Sequence, residues 1–264
     1  MPQLDSARYT ILFAAAVSVA CATLVAVAAV SLRDRQEANA QVFKQKNVLF
    51  AAGLARPDES LTTADVGERF AQRIEVRAVD LASGELVPAD KLDAGTYDPR
   101  RARADPKQSR PAPPNDAGVG RVPNLQTVYL VKGPHIGIEQ VVLPIDGMGM
   151  WGAMHGFLAL ERDGNTVRGL TFYEQKETPG LGGEISNPRW QALWVGRKVY
   201  DPSWEPKLTI IKGRAGPAEQ DPHRVDGLSG ATITSNGVSR VVQFWFSDSG
   251  YAPYLKRLRE GAKS

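Results

Sequence analysis

A chain of 264 residues with 42% hydrophobic and 23% charged side chains has the makeup of an ordinary globular protein, which excludes a disordered or collagen-like polymer. Lys and Arg number 32 against 29 Asp and Glu, a net charge of +3, too small an excess for a nucleic-acid partner, whose phosphates demand a concentrated cationic face. One cysteine, Cys21, excludes an internal disulfide, a cysteine-ligated iron–sulfur cluster and a structural zinc site, and the scattered His135, His155 and His223 do not favour a metal centre.

After a short tail, residues 1–8, comes an uncharged stretch of 24 residues, 9–32, free of Pro and Gly. As a helix it is roughly 36 Å long, enough to cross a hydrocarbon core of about 30 Å. Lipid offers no partners to backbone polar groups, so the segment must be helical. Ala38-Asn39-Ala40 imitates a signal-peptidase site, but a signal's apolar region stops at about 15 residues. A lipoprotein reading of Cys21 fails because the apolar run continues to Leu32. The basic residues Arg33, Arg35, Lys44 and Lys46 after the span outnumber Arg8 before it, a bias that points the C-terminal side to the cytoplasm.

Residues 33–264 are expected to form one soluble domain. The pattern over 36–54 is helical, with Gly53 as terminator. Thr62-Thr63-Ala64-Asp65 starts a second helix running through Phe70, and Arg73 to Leu81 alternates as a half-buried strand. Residues 80–120 are rich in Pro and Arg and read as a long irregular excursion, either a solvated loop or a partner-docking surface. Strand patterns occupy 127–132, 140–145, 156–160, 166–173 and 207–212, with a hairpin signal at Asp163-Gly164-Asn165. Helices are expected over 188–195 and from Ser235 onward, where Ser235 can cap the first turn. The sum is an α+β fold with a mostly antiparallel sheet flanked by helices.

Three glycine-rich segments carry the chemistry. Gly147 to Gly152 (GMGMWG) matches a dinucleotide-binding pattern, but the segment after it reads as strand-turn-strand, whereas that motif requires a helix. Its glycines instead let backbone come close to something, with the Trp151 face beside them. Glu177 to Gly183 (ETPGLGG) displays backbone N–H groups that suit an anion or a ring edge, or forms a plain tight turn; Glu177 caps this loop or faces water. Asp226 to Ser235 (DGLSGATITS) is a bend of small residues feeding a helix. Its N–H groups and the positive helix end favour a phosphate near Thr232 or Ser229, although a capped helix start has the same composition. A serine hydrolase using Ser229 lacks the required G-x-S-x-G elbow.

Taken together, the N-terminal span, Gly147 to Glu161, Gly169 to Glu184 and Asp226 to Ser235 resemble the C-subunit family of the sodium-translocating NADH:quinone reductase over nearly the whole chain. The resemblance implies an FMN-binding domain behind a single membrane helix, with one FMN per chain attached to Thr232 through a phosphoester by a separate flavin transferase that uses FAD. It implies that Asp226, Ser229, Gly230 and Ala231 serve recognition, and that Thr178, Gly180, Leu181 and Gly182 border the ring with Trp151 packed beside it. Lys212, at the end of the strand pattern over 207–212, is either a counter-charge for the phosphate or a plain surface lysine. The resemblance further implies electron relay from NADH toward ubiquinone with the other subunits of the complex, coupled to Na+ export. The resemblance places the domain on the periplasmic side of the bacterial inner membrane, against the charge count, and is followed there. The alternatives are an Rnf-type flavin subunit, which shares the attachment motif, and a membrane-anchored binding domain without flavin.

Overall fold

The structure, a computed structural model, describes residues 7–133 and 137–261; residues 1–6 of the expected tail, and His135, lie outside them. It divides into two compact units, Met1–Phe43 and Lys44–Ser264. Helix α1 (Ala7–Ala51) runs through the first and into the second. The helices expected over 9–32 and 36–54 are therefore one, because the joining Arg33-Asp34-Arg35-Gln36 has no breaker and Arg33 Nε donates to Glu37 one turn on at 2.9 Å. Its 45 residues extend roughly 68 Å. The most apolar part, with a mean hydropathy of 2.5, is fully exposed, and its length and composition fit a membrane span.

In the second unit the helix end is buried at Asn47, Val48, Leu49 and Ala51. It stops at Gly53, whose φ is +67°. The Leu54 N–H reaches Leu49 O at 2.9 Å and the Gly53 N–H reaches Phe50 O at 3.0 Å, the paired bonds of a glycine C-cap. Helix α2 (Thr63–Arg73) comes next, with Thr62 and Asp65 capping each other reciprocally.

Strand β1 (Ile74–Asp80) opens the sheet. The excursion over 80–120 is more ordered than its composition predicts. It holds α3 (Pro99–Ala104), capped by Asp98 with proline in its first turn, and β2 (Ser109–Pro111), which pairs antiparallel with β3 (Arg121–Pro123). Two of the arginines that suggested solvation, Arg100 and Arg103, find carboxylates on the sheet instead. Arg100 bonds Glu174 at 3.0 Å and Tyr173 Oη at 2.8 Å, and both terminal nitrogens of Arg103 bond Asp146. Ala117 and Val119 are buried in the core.

Strands β4 (Leu125–Lys132), β5 (Ile138–Met148), β6 (Ala153–Glu161) and β7 (Val167–Glu174) complete an antiparallel sheet of order β1-β4-β5-β6-β7. The short helix α4 (Pro188–Gln191) and a 3-10 turn over Ala192–Trp194 occupy the segment expected as one helix. The strand expected over 207–212 shrinks to β8 (Thr209–Ile210), which pairs parallel with β9 (Arg224–Val225). Beyond the ladder the two segments stay together, with the Ile211 N–H on Val225 O at 3.0 Å and the Gly227 N–H on Gly213 O at 2.8 Å, and Gly227 packs directly against Ile211 O. Helices α5 (Thr232–Trp245) and α6 (Ala252–Gly261) finish the described chain.

Strand alternation sorts the sheet's two faces. Val141, Leu143 and Ile145 share the main core with Val238, Val241 and Trp245 of α5. Trp245 Nε1 donates to Asp146 O and Tyr251 Oη to Pro144 O, each at 2.7 Å, pinning the helical layer to β5. On the other face Phe70 of α2 meets the ring of Tyr129 edge-on, and the end of α1 crosses β7 so closely that a Cβ on Gly169 would lie 2.3 Å from Ala51 O. The architecture is α+β: an N-terminal apolar helix, then a mostly antiparallel sheet flanked by helices.

His155 lies in register between Asp146 of β5 and Glu174 of β7, under Arg100 and Arg103. Burial, with Arg100 adding to it, holds its pKa below the ordinary imidazole value against the pull of the two carboxylates. A base whose folded pKa is depressed binds its proton more readily in the unfolded chain, so stability falls as pH drops below about 6.5 toward the lowered value. Urea unfolding of the wild type between pH 7.5 and 5.5 is expected to show this decline, and His155→Gln to flatten it. An identical slope in both proteins would contradict the assignment.

Candidate functional site

The site is built where α5 begins. Leu228 O accepts from the Ala231 N–H at 3.2 Å, closing a turn through Ser229 and Gly230. Gly230 takes φ +69°, a conformation that L side chains disfavour and glycine adopts freely. Helix α5 then starts at Thr232, three residues before the expected position. Its N-cap is Ala231, which makes no side-chain cap bond. Ser235, expected as the cap, lies buried inside the helix, with its Oγ accepting weakly from the Leu228 N–H at 3.4 Å. The helix starts early because Gly230 turns the chain sharply enough to bury Thr234 and Ser235 while Thr232 and Ile233 stay exposed. No side chain caps its first turn, and such a helix end favours an anion.

Thr232 opens on a cavity of about 480 Å³, bordered also by Lys212, Arg214, Asp226, Ser229 and Gly230. Lys212 and Arg214 are both exposed, and neither forms an ion pair among the described residues. Asp226 points elsewhere: its carboxylate accepts from the Ala215 N–H at 2.9 Å and its carbonyl from Trp190 Nε1 at 3.0 Å. Both bonds fix the loop that presents the two cations.

The ETPGLGG loop reaches α5 through Leu181, which lies against Gly230, where a Cβ would come within 2.9 Å of its Cδ2. Gly182 sits against Thr234 Oγ1 and Glu177. Thr178 O accepts from the N–H groups of Leu181 at 3.1 Å and Gly183 at 2.9 Å, making the loop a compact bend with Gly180 exposed at φ +76°. Trp151 stands on the β5–β6 turn, 63% exposed, and its N–H donates to Glu177 at 2.9 Å. Lys212, Asp226, Ser229, Gly230 and Thr232 therefore share one cavity, with Ala231 buried behind them as the cap. Leu181 and Gly182 touch the start of α5, while Thr178, Gly180 and Trp151 stand on neighbouring loops outside the cavity lining.

Several residues carried no clear sequence signal. Glu177, read as a loop cap or a solvated acid, is buried. Arg214 could have been found from its spacing, two residues past Lys212 across a glycine. Met150 and Trp151 on the β5–β6 turn, Leu181 on the ETPGLGG loop and Ile233 in the first turn of α5 leave apolar side chains 44–63% exposed, a feature that marks binding surfaces.

A family model for an FMN-binding domain matches residues 149–247, a span that contains all these loops. The chain is 45% identical over 260 residues to the C subunit of the Na(+)-translocating NADH-quinone reductase of Yersinia pestis, covering 98% of this chain and 95% of that protein. It is 44% identical to the protein of the same name from Vibrio vulnificus strain YJ016, covering 99% of each. Among solved structures, Shewanella oneidensis NqrC superposes with a TM-score of 0.76 at 29% identity, covering 83% of this chain and 98% of that one. The corresponding protein from Parabacteroides distasonis superposes with a TM-score of 0.64 at 28% identity, covering 85% and 96% respectively.

Helix α5 can lie where it does only because Gly237 lacks a side chain: a Cβ there would be 2.7 Å from Met148 O. In an unhindered helix, Gly→Ala stabilises by about 1 kcal/mol. Here Gly237→Ala is expected to lower the urea midpoint despite that gain, and a raised midpoint would contradict the close approach.

Proposed function

This chain belongs to the family of C subunits of the Na+-translocating NADH-quinone reductase, and on that premise we propose that Thr232 is the point at which FMN is esterified, one per chain. Family membership makes it a flavoprotein subunit of an oxidoreductase complex, working with the other subunits. The observation that carries the finer reading is the uncapped, exposed start of α5, opening beside Lys212 and Arg214 on a cavity of about 480 Å³. These residues fit the group: a phosphate there meets the positive helix end and two cations, and the hydroxyl of Thr232 stands clear of larger neighbours.

A threonine hydroxyl is a weak nucleophile without an adjacent base, and no histidine borders the cavity. Loading is accordingly the work of a separate flavin transferase with FAD as donor, to which the exposed Ser229 and Gly230 give access. Bound FMN supplies one- and two-electron redox chemistry, and the protein sets its orientation and surroundings. Trp151, Leu181 and Ile233 offer apolar surface for the ring, while Lys212 and Arg214 offset phosphate charge.

The subunit acts as an electron carrier between redox centres of the complex, from NADH toward ubiquinone, and it leaves the Na+ path to other subunits. Its span offers no carboxylate between Tyr9 and Leu32, and an ion path requires polar groups in the membrane. The span holds the domain to the bacterial inner membrane on the periplasmic face, since a large domain translocates despite a few flanking charges.

In a host that supplies the transferase, wild-type chain is expected to give a fluorescent band on a denaturing gel under ultraviolet light, and Thr232→Ala none. A fluorescent Thr232→Ala band would refute the assignment. Replacing Lys212 and Arg214 together by Ala should slow flavin loading by about tenfold, equivalent to about 1.4 kcal/mol, as followed by band intensity over time. An unchanged loading rate would remove both cations from the phosphate site.

A further inference from the structure

Glu177 is the buried carboxylate of the described residues, 5% exposed, and it forms no ion pair with any described Lys or Arg. Its two oxygens are divided between two segments distant in sequence. Oε1 accepts the Trp151 N–H at 2.9 Å, and Oε2 accepts the hydroxyl of Thr234, in the first turn of α5. Two glycines make room for it: a Cβ would lie 2.5 Å from Oε1 on Gly149 and 2.8 Å from Oε2 on Gly182. One side chain thus ties the β5–β6 turn, the ETPGLGG loop and the helix that begins with Thr232.

Burying a carboxylate without a cation is costly, and an apolar residue of similar volume commonly serves stability as well or better. What an apolar residue cannot do is accept two hydrogen bonds from opposite sides, or hold a negative charge at the positive end of α5. Both properties act on the surroundings of Thr232, which precedes Thr234 by two residues in the same turn.

We propose that Glu177 is a positioning residue for the flavin: its carboxylate locks the Trp151 turn to the Thr232 helix, and its fixed charge holds the flavin's reduction potential down. The inference rests on the attachment of FMN at Thr232. A negative charge beside an electron acceptor disfavours electron addition, so its removal raises the potential. The Gln side chain keeps the shape, keeps an oxygen for the Trp151 N–H and turns an amide N–H toward Thr234 Oγ1. Glu177→Gln therefore separates charge from shape, whereas Glu177→Ala removes both.

The full-length chain is made with and without a flavin transferase. In flavin-free chain, hydrogen–deuterium exchange at the Trp151 amide is expected to speed up at least tenfold in Glu177→Ala and to stay near wild type in Glu177→Gln. Should Glu177→Ala not accumulate folded, Thr234→Val, which removes one of the two donors, carries this arm and is expected to speed exchange at the same amide. In loaded chain, Glu177→Gln should keep its in-gel flavin fluorescence while its midpoint potential shifts upward. Unchanged exchange in the Ala or Val variant overturns the lock, and an unchanged or lowered potential in Glu177→Gln overturns the role of the charge. Loss of the Thr232 reading shows separately, as covalent fluorescence that survives Thr232→Ala, and leaves the exchange arm standing.

Discussion

The close approach of α5 to the end of β5 is the constraint on which the rest of the site depends. Glycine stands at each crossing: a Cβ on Gly147 would meet Val241 at 2.4 Å, and one on Gly237 would meet Met148 O at 2.7 Å. With helix and turn this close, the first turn of α5 buries its Thr234 side and leaves Thr232 and Ile233 outside. The same contact brings the ETPGLGG loop within reach of both, since Gly182 and Glu177 fill the remaining space. Backbone proximity, which only glycine permits here, converts three loops into one surface.

Charge is arranged around that surface in a consistent way. The positive end of α5 and the exposed Lys212 and Arg214 favour an anion outside the helix, while the Glu177 carboxylate lies buried beneath it. Farther along the strands, the α3 arginines bond Asp146 and Glu174, fixing the ends of β5 and β7 from which two of the loops depart. The domain thus combines a rigid sheet with loops tethered at both ends, an arrangement that holds a bound group in a defined orientation. Helix α1 contributes differently: its buried last turn, Asn47 to Ala51, belongs to the domain.

Much of this was legible in the residues. Strand alternation from Thr127 to Tyr173, the hairpin at Asp163-Gly164-Asn165, the glycine stop at Gly53 and the helix start at Thr62-Thr63-Ala64-Asp65 are local patterns, and local patterns survive folding. The excursion over 80–120 was misleading because two of its arginines, Arg103 and Arg100, are neutralised by Asp146 and Glu174, partners more than 40 residues away in sequence. The start of α5 was placed late for a related reason: Thr232, Ile233 and Thr234 are poor helix formers, and burial of Thr234 against Glu177 and Gly182 of the ETPGLGG loop overrides that preference. The position of Glu177 could not be read from sequence, since its partners Trp151 and Thr234 come from two other segments.

The central claim is that the hydroxyl at the open end of α5 carries the cofactor. Mass spectrometry of tryptic peptides from chain matured with its transferase tests it most directly, because Arg224 and Arg240 bound a single peptide containing Thr232. The account predicts that this peptide gains the mass of FMN less one water, with fragmentation placing the gain on Thr232. An unmodified peptide from mature material, or a gain on Ser229, Thr234 or Ser235, would contradict it.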